Sequence, residues 1–312
     1  MTPKKAVITA AARGSRLYPV ADTVQKAMLP IIDTDGINKP IIQIIAEEAF
    51  SSGIEEICIV CAPGDDVRYV ESFKTLQSAI SGSYKNSEWA DKQYSAISNF
   101  LSRINFAVQK EPLGYGHAVY QAKEFVNGES FLLLLGDYLY VSNLKEKRCA
   151  KQLIDLAVKE DCSVSAVNPT IEHLISKYGT LTGKTYQNYD GVYQIEKIIE
   201  KPSVSMAELE LQTPGLRAGY YLCFFGMHLF KPVVFDLLSE NIKSDKNPPY
   251  LLTPVMQNIA ETDKYLAMEI KGNRYDTSIK LGLLRAQIAL GLAGEVKDEL
   301  LTTIIQMLAE WK

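Results

Sequence analysis

The chain has 312 residues, of which 47% are hydrophobic and 22% are charged. This composition is typical of a soluble globular protein with a large core and excludes a disordered chain. The formal net charge of −4 gives no general attraction to nucleic acid or to an anionic membrane. No apolar stretch of about 18 residues occurs, and the first residues lack a signal peptide's apolar segment and cleavage site. We therefore expect neither a nucleic acid nor a membrane partner.

The first half of the chain alternates apolar, strand-like runs with helical patterns. The predicted strands are Ala6–Thr9, Ile54–Cys61, Ile104–Val108 and Phe131–Leu135, and the predicted helices are Pro40–Ala49, Asp66–Ser81, Ser95–Ser102 and His117–Phe125, with a polar loop over Gly82–Ala90. This order predicts an α/β fold with a mostly parallel central sheet that helices cover on both faces.

The pattern changes after Asp137. Predicted elements are a helix over Lys147–Lys159, strands over Cys162–Asn168, Tyr220–Phe225 and Tyr265–Ile270, and C-terminal helices over Ile279–Leu290 and Glu295–Trp311. Residues 179–200 predict a hairpin because Asp190-Gly191 lies between two alternating segments. No internal repeat or low-complexity linker is present, so we expect a single domain with a mixed sheet.

The cysteines favour a reducing compartment. They are five in number, and four lie within or beside apolar runs. Cys58 and Cys61 have C-x-x-C spacing but occupy an apolar, β-branched strand, which favours buried small side chains over a redox or zinc site. We therefore expect a cytoplasmic protein.

A phosphate-binding loop is predicted directly after the first strand. Residues 10–19 contain small side chains, Gly14 and Arg16, and Lys26 follows shortly afterwards. Backbone N–H groups in such a loop can approach an anion, and the two cations would add positive charge. Since the first strand–loop junction holds a nucleotide in many α/β proteins, the predicted ligand is a polyphosphate.

This stretch resembles the signature of the sugar-1-phosphate nucleotidyltransferases, and within that family it is most similar to the bacterial UTP–glucose-1-phosphate uridylyltransferases. The resemblance covers nearly the whole chain and implies a Rossmann-like nucleotidyltransferase fold with a small β-hairpin, sugar-binding region. It implies one catalytic domain over 1–312, with a nucleotide-binding half over about 1–140, a sugar-phosphate-binding half over about 141–278 and C-terminal helices over about 279–312. Homodimers or homotetramers are common in the family. Ala12 departs from the signature, which normally has glycine there.

A second motif follows the third predicted strand, where Gln109 precedes Gly114-Tyr115-Gly116-His117. The glycines permit a tight turn, and the Gln side chain carries a donor and an acceptor that suit a pyrimidine edge. Gln109 and Gly114 resemble the family's base-binding positions, whereas His117 is expected to help begin a helix. The resemblance therefore implies the following nucleotide-binding residues: Ala11, Ala12, Gly14, Ser15, Arg16, Lys26, Gln109 and Gly114.

Two aspartates are candidate metal ligands. Asp137 follows a central strand, at the sheet edge where open α/β proteins bind ligands, and Mg²⁺ prefers one or two carboxylates with phosphate oxygens and water. Asp137 could instead cap a turn, and Asp276 could instead be the N-cap of the helix predicted from Ile279. The resemblance implies that both hold Mg²⁺, although Ser278 stands where the family usually has glycine.

Three residues around the predicted hairpin are candidates for binding a sugar phosphate. Glu200 can accept hydrogen bonds from sugar hydroxyls and Lys201 can neutralise a monophosphate, although Glu-Lys-Pro also occurs at ordinary exposed strand ends. The resemblance implies sugar-phosphate binding by Gly179, Glu200 and Lys201. Pro249 and Pro254 depart from the family, whose relatives carry carboxylates there beside the sugar pocket and subunit contacts.

The implied reaction is attack of a sugar 1-phosphate on the α-phosphorus of UTP, which gives UDP-glucose and pyrophosphate. The sugar phosphate is already ionised, so positioning and charge neutralisation by Arg16, Lys26 and Lys201 would suffice. Three alternatives remain at this point: a related enzyme that uses another base or sugar phosphate, a non-catalytic nucleotide or sugar-nucleotide sensor, and a dehydrogenase. The dehydrogenase is disfavoured because no Gly-x-Gly-x-x-Gly follows the first strand.

Overall fold

The computed structural model describes residues 2–12, 24–84, 87–187, 189–244 and 247–311. Strand β1 (Lys5–Thr9) is buried on both faces because its side chains alternate between two apolar layers. Ala6 and Ile8 pack into one layer, and Val7 packs into the other. A strand that is covered on both faces has no polar side, which is why it reads as a continuous apolar run.

Among the residues that the structure describes, nine strands form the central sheet. In spatial order they are β5 (Ile104–Val108), β4 (Glu56–Cys61), β1, β6 (Phe131–Leu135), β11 (Tyr220–Phe230), β8 (Ser163–Ile171), β12 (Tyr265–Glu269), β10 (Val192–Glu200) and β9 (Gly179–Thr185). The first four are parallel to one another. β11 is antiparallel to β6 and β8, β12 is parallel to β8, and β10 is antiparallel to β12 and β9. The predicted mixed sheet is confirmed, with its all-parallel part in the N-terminal half.

In the described ranges, two smaller sheets lie outside the central one. β2 (Pro30–Ile32) pairs with β3 (Asn38–Pro40), and β7 (Tyr138–Ser142) pairs with β13 (Gly272–Asp276). The second pair matters for the site because β7 begins directly after Asp137, and Tyr138 pairs with Asp276. The sequence predicted neither pair.

The helices pack on both faces of the sheet. They are α1 (Ile41–Phe50), α2 (Asp65–Ser83), α3 (Glu88–Arg103), α4 (Tyr115–Tyr120), α5 (Lys123–Val126), α6 (Cys149–Glu160), α7 (Val204–Glu210), α8 (Val233–Ser244), α9 (Thr253–Thr262), α10 (Gly282–Ala293) and α11 (Lys297–Glu310). The single helix predicted over 117–125 is wrong, because the chain forms two short helices, α4 and α5. The loop predicted over 82–90 is too long, since α2 extends to Ser83 and α3 begins at Glu88.

Candidate active site

A cavity of about 940 Å³ opens at the carboxyl ends of the four parallel strands. It is lined by residues that directly follow these strands, namely Ala10, Ala62, Gln109 and Gly136. Six of the predicted site residues also line it: Ala11, Ala12, Lys26, Gln109, Gly114 and Asp137. The predicted residues Gly14, Ser15 and Arg16 lie outside the described residues. The cavity has the position expected for a ligand site in an open α/β sheet.

The Ala10–Ala12 segment carries the chain from β1 into the cavity. The Ala10 N–H donates to the Val60 carbonyl at 2.7 Å, which holds this segment beside the end of β4. Ala12 is exposed. Within the described residues, the non-glycine residues with positive φ are Asn127, Asp161, Gln187 and Lys201, so the backbone at position 12 has no conformation that requires glycine.

Lys26 and Asp137 form an ion pair at the carboxyl end of β6. Lys26 begins a short 3₁₀ helix (Lys26–Met28), and its Nζ lies 2.5 Å from Asp137 Oδ2. The side chains are only 9% and 21% exposed. Asp137 occupies the turn between β6 and β7, and the Gly136 N–H donates to the Thr9 carbonyl at 2.9 Å. A Cβ at position 136 would lie 2.7 Å from that carbonyl oxygen, so glycine is required for this close approach.

Thr277, the residue after Asp276, links Asp276 to the backbone of Asp137. The Thr277 N–H and hydroxyl donate to the Asp137 carbonyl at 2.9 and 2.8 Å, and the Thr277 side chain is fully buried. Oδ1 of Asp276 accepts from the Ser278 N–H at 2.8 Å and from its hydroxyl at 2.5 Å. The alternative N-cap role of Asp276 is wrong, because α10 begins at Gly282 and its N-cap is Leu281.

Gln109 lies at the end of β5 and is 7% exposed. Its amide nitrogen donates to the Gly114 carbonyl at 3.1 Å and lies 3.0 Å from His117 Nδ1. Burial lowers the pKa of His117, which favours the neutral ring as a hydrogen-bond partner. The donor side of Gln109 is thus engaged within its own loop, and among the described residues no hydrogen bond to its amide oxygen occurs.

Gly114 permits a close crossing of two loops. Its φ is +110°, and a Cβ there would lie 2.6 Å from the Tyr250 carbonyl oxygen and 3.1 Å from Pro249 Cβ. Two backbone hydrogen bonds fix the crossing, from the Tyr250 N–H to the Leu113 carbonyl at 2.7 Å and from the Gly116 N–H to the Tyr250 carbonyl at 2.8 Å. The segment around Pro249 therefore packs on the predicted nucleotide loop.

The three predicted sugar-phosphate residues meet where β9 and β10 pair. Gly179 pairs with Glu200 across the hairpin, and a Cβ at Gly179 would lie 3.0 Å from Glu200 Oε2. Lys201 follows β10 with a φ of +48°, and its Nζ lies 3.5 Å from Glu200 Oε1. The Lys201 N–H donates to the Tyr178 carbonyl at 3.2 Å. The arrangement presents one carboxylate and one partly exposed cation together.

Tyr115 is a further residue of the cavity lining. It is the first residue of α4, and its hydroxyl is buried. Burial raises the pKa of this hydroxyl, and the negative charges of Asp137 and Glu200 raise it further. The Tyr115 hydroxyl is therefore within electrostatic range of Asp137 and of the hairpin carboxylate Glu200.

Comparison with known proteins gives the family. Residues 5–277 match the family model described as Nucleotidyl transferase. The chain belongs to this family. It is 33% identical to the UTP–glucose-1-phosphate uridylyltransferase of Streptococcus pneumoniae over 306 residues, which cover 97% of this chain and 96% of that relative. It is also 33% identical to UTP–glucose-1-phosphate uridylyltransferase 1 of Streptococcus pyogenes over 310 residues, 97% of this chain and 94% of that relative.

Solved structures agree with this membership. A UDP-glucose pyrophosphorylase complexed with UDP-glucose matches with a TM-score of 0.74 and 30% identity, covering 92% of this chain and 98% of that one. The UDP-glucose pyrophosphorylase of Acinetobacter baumannii shares the fold with a TM-score of 0.79 at 24% identity, covering 98% of this chain and 99% of that one. The nucleotidyltransferase fold and enzyme class predicted from the sequence are thus confirmed.

Several residues of this candidate site were not predicted from the sequence. Tyr115 and the α2 residues Asp65, Arg68 and Ser72 line the cavity. Thr277 is hydrogen-bonded to the Asp137 carbonyl. The acidic pair at the start of α2 is typical of any helix N-terminus, so it carried no distinct signal. Tyr115 and Thr277 each carry a hydroxyl directly after a predicted site residue, Gly114 or Asp276. That position is the signal that could have identified them.

The cysteines take no part in the site. All five are free and buried, as expected from their apolar surroundings. Burial raises the pKa of the Cys58 and Cys61 thiols to about 12, so both remain protonated and unreactive at neutral pH. Within the described residues, no helix combines the length and apolar character needed to cross a bilayer.

Proposed function

We propose that this protein transfers a uridylyl group from UTP to glucose 1-phosphate, giving UDP-glucose and pyrophosphate. The Lys26–Asp137 pair, tied to Asp276 through Thr277, is the observation that carries the proposal. It puts a cation and two carboxylates at one sheet edge, as phosphate chemistry with a divalent metal requires. The names of the relatives that cover almost the whole chain support the choice of substrates.

We propose that Asp137 and Asp276 hold Mg²⁺. Carboxylate oxygens are ligands that this ion prefers, and one or two of them normally suffice when substrate phosphates and water supply the others. In the part of the chain that the structure describes, no cluster of three or more His, Cys, Asp or Glu residues could hold a metal. Asp137 and Asp276 are brought close by the Thr277 hydrogen bonds to the Asp137 carbonyl, and two carboxylates with substrate oxygens would meet the ion's preference. When bound, the ion would neutralise charge on the phosphates of both substrates.

The chemical step needs little proton transfer. A phosphate oxygen of glucose 1-phosphate attacks the α-phosphorus of UTP, a new P–O bond forms, and the bond to the β-phosphate oxygen breaks as pyrophosphate leaves. Arg16 and Lys26 hold the triphosphate and its developing charge, and Lys201 orients the attacking phosphate. Glu200 accepts hydrogen bonds from sugar hydroxyls, and the backbone around Ala11 and Ala12 approaches the triphosphate. Gly14 and Ser15 keep the nucleotide-binding role that the sequence predicts.

Gln109 supports the choice of uracil. Its amide nitrogen already donates to Gly114 and lies against His117, so its oxygen is the atom offered to a base. An acceptor matches the ring N–H of uracil or thymine, whereas cytosine presents no proton at that nitrogen. We therefore place UTP and dTTP ahead of CTP.

The test is pyrophosphate release with Mg²⁺ in a panel of triphosphates (UTP, dTTP, CTP, ATP) and sugar 1-phosphates. Release that needs UTP, glucose 1-phosphate and metal together is expected. Release with another pair would keep the mechanism and change the substrate. Binding of UTP with no release across the panel would contradict the enzyme and favour a sensor that binds nucleotides.

The setting of the enzyme is also a proposal. The free, buried thiols support a cytoplasmic location.

We propose a homodimer or homotetramer, because Leu301, Ile305 and Leu308 lie on one side of α11 and are 39%, 65% and 70% exposed. Light scattering should give a multiple of the 34.7 kDa chain mass, and Ile305→Glu should lower it whereas Thr302→Glu should not.

A further inference from the structure

The segment around Tyr250, which crosses the predicted nucleotide loop, also reaches Glu200, the carboxylate proposed to bind the sugar. Tyr250 is hydrogen-bonded to Leu113 and Gly116 through its backbone. Three residues later, the Thr253 hydroxyl donates to Glu200 Oε2 at 2.7 Å. Residues 250–253 therefore contact both the predicted nucleotide loop and Glu200.

Glu200 depends on this contact for its orientation. Its carboxylate is partly exposed, and its other oxygen faces Lys201 Nζ at the longer distance of 3.5 Å. A Glu side chain loses rotamer freedom when it is ordered, so a short hydrogen bond to one oxygen selects one of its conformations. The second carboxylate oxygen, with its longer contact to Lys201, keeps the capacity to accept a hydrogen bond from a ligand.

Thr253 is itself held in place. It begins α9, and Pro254 occupies the first turn of that helix, where a missing N–H costs nothing because no helical partner exists there. Leu252, just before it, is 2% exposed and packs into the apolar layer that includes Val255 and Met256. The hydroxyl is thus presented from a rigid element.

We propose that Thr253 is a positioning residue that sets the orientation of Glu200 for the sugar, and that the Tyr250 crossing fixes Thr253 relative to the nucleotide loop. This inference rests on the proposed function, because it assumes that Glu200 binds the sugar of glucose 1-phosphate. It assigns sugar selection to a residue that need not contact the sugar.

The test compares Thr253→Val with Thr253→Ser in steady-state kinetics with UTP and glucose 1-phosphate. Valine keeps the shape and removes the donor, so the KM for glucose 1-phosphate should rise about 10-fold, the size of one hydrogen bond to a charged group. The KM for UTP should change less than about twofold, and serine should restore most of the sugar affinity. Thr262→Val is the matched control, because its hydroxyl donates at 2.8 Å to the Asn258 carbonyl of the same helix.

Each outcome is decisive. Wild-type sugar KM in Thr253→Val, in a protein whose thermal midpoint matches that of Thr262→Val, would overturn the positioning role. Equal loss in the valine and serine variants would also overturn it, since packing and not the hydroxyl would then matter. Wild-type protein with no turnover of any sugar phosphate would contradict the proposed function itself and this inference with it.

Discussion

The Nζ atom of Lys26 lies 2.5 Å from Oδ2 of Asp137, although the two residues are 111 positions apart in the chain. The pair is nearly buried at the carboxyl end of β6. Under the proposed function, this cation stabilises charge on the phosphates, and the carboxylate is one of the two proposed metal ligands.

Lys26→Ala and Asp137→Ala are each expected to lower kcat at least about 100-fold, as happens when one charge-stabilising group is removed. Pyrophosphate release under saturating substrates measures this. Lys123→Ala is the control, because Lys123 pairs with Asp236 at 3.3 Å on the exposed surface and should retain full activity. A fall of only about twofold in either site variant would contradict the assigned roles.

A methyl group at Gly114 should damage both the fold and nucleotide binding. Its φ of +110° disfavours a side chain, and the new Cβ would lie 2.6 Å from the Tyr250 carbonyl oxygen. Gly114→Ala is expected to lower the free energy of unfolding by more than about 2 kcal/mol, the sum of backbone strain and the clash. Its Kd for UTP should also rise.

Gly53→Ala separates the two causes. Gly53 has a φ of +101° but nothing within 4 Å of the position of a Cβ, so its loss should reflect strain alone, about 1–2 kcal/mol. Urea unfolding measures both free energies, and calorimetry measures UTP binding. Equal losses in the two variants would show that the Tyr250 crossing does not constrain Gly114.

The charge of Lys201 can be removed without disturbing its backbone. Because its φ is +48°, Lys201→Gly should leave the free energy of unfolding within about 1 kcal/mol of wild type. The KM for glucose 1-phosphate should rise at least about 10-fold, since a charged contact to the phosphate is lost. Lys197→Ala, which removes an exposed lysine paired with Glu210, is the control. An unchanged sugar KM in Lys201→Gly would refute the phosphate role.

The central strands were predictable because a strand that is buried on both faces has a nearly continuous run of apolar residues in the sequence. Val7 and Leu133, for example, pack in one layer while their neighbours in the chain pack in the other. The hairpin of β9 and β10 was predictable because its strands are close in sequence and Asp190-Gly191 favours a turn.

The contacts that complete the site were not predictable in the same way. The pairing of Tyr138 with Asp276 and the bond from Thr253 to Glu200 join distant parts of the chain. Neither leaves a periodic pattern, because each depends on how long-range elements pack. The resemblance located Asp137 and Asp276 but gave no reason for their proximity, which Thr277 provides.

A buried histidine should make the protein sensitive to acid. His228 Nδ1 lies 2.6 Å from Ser165 Oγ, and the imidazole ring stacks on the Phe230 ring with 5.3 Å between the ring centroids. Burial lowers its pKa to about 3, from an ordinary value of 6.5. The unfolded chain takes up a proton as the pH falls through 6.5, whereas the folded protein does not, so this residue's contribution to stability is complete above that pH and is lost below it.

His228→Gln, which does not titrate, should therefore flatten the decline in the free energy of unfolding between pH 6 and 4 by about 1 kcal/mol per pH unit. Urea unfolding at several pH values measures the two slopes, and carboxylates common to both proteins cancel in the difference. His173→Gln is the control, because His173 is exposed and its loss should leave the wild-type slope. Parallel curves for wild type and His228→Gln would contradict burial of a neutral His228, because a histidine that is free to take up a proton in the folded state costs no stability on acidification.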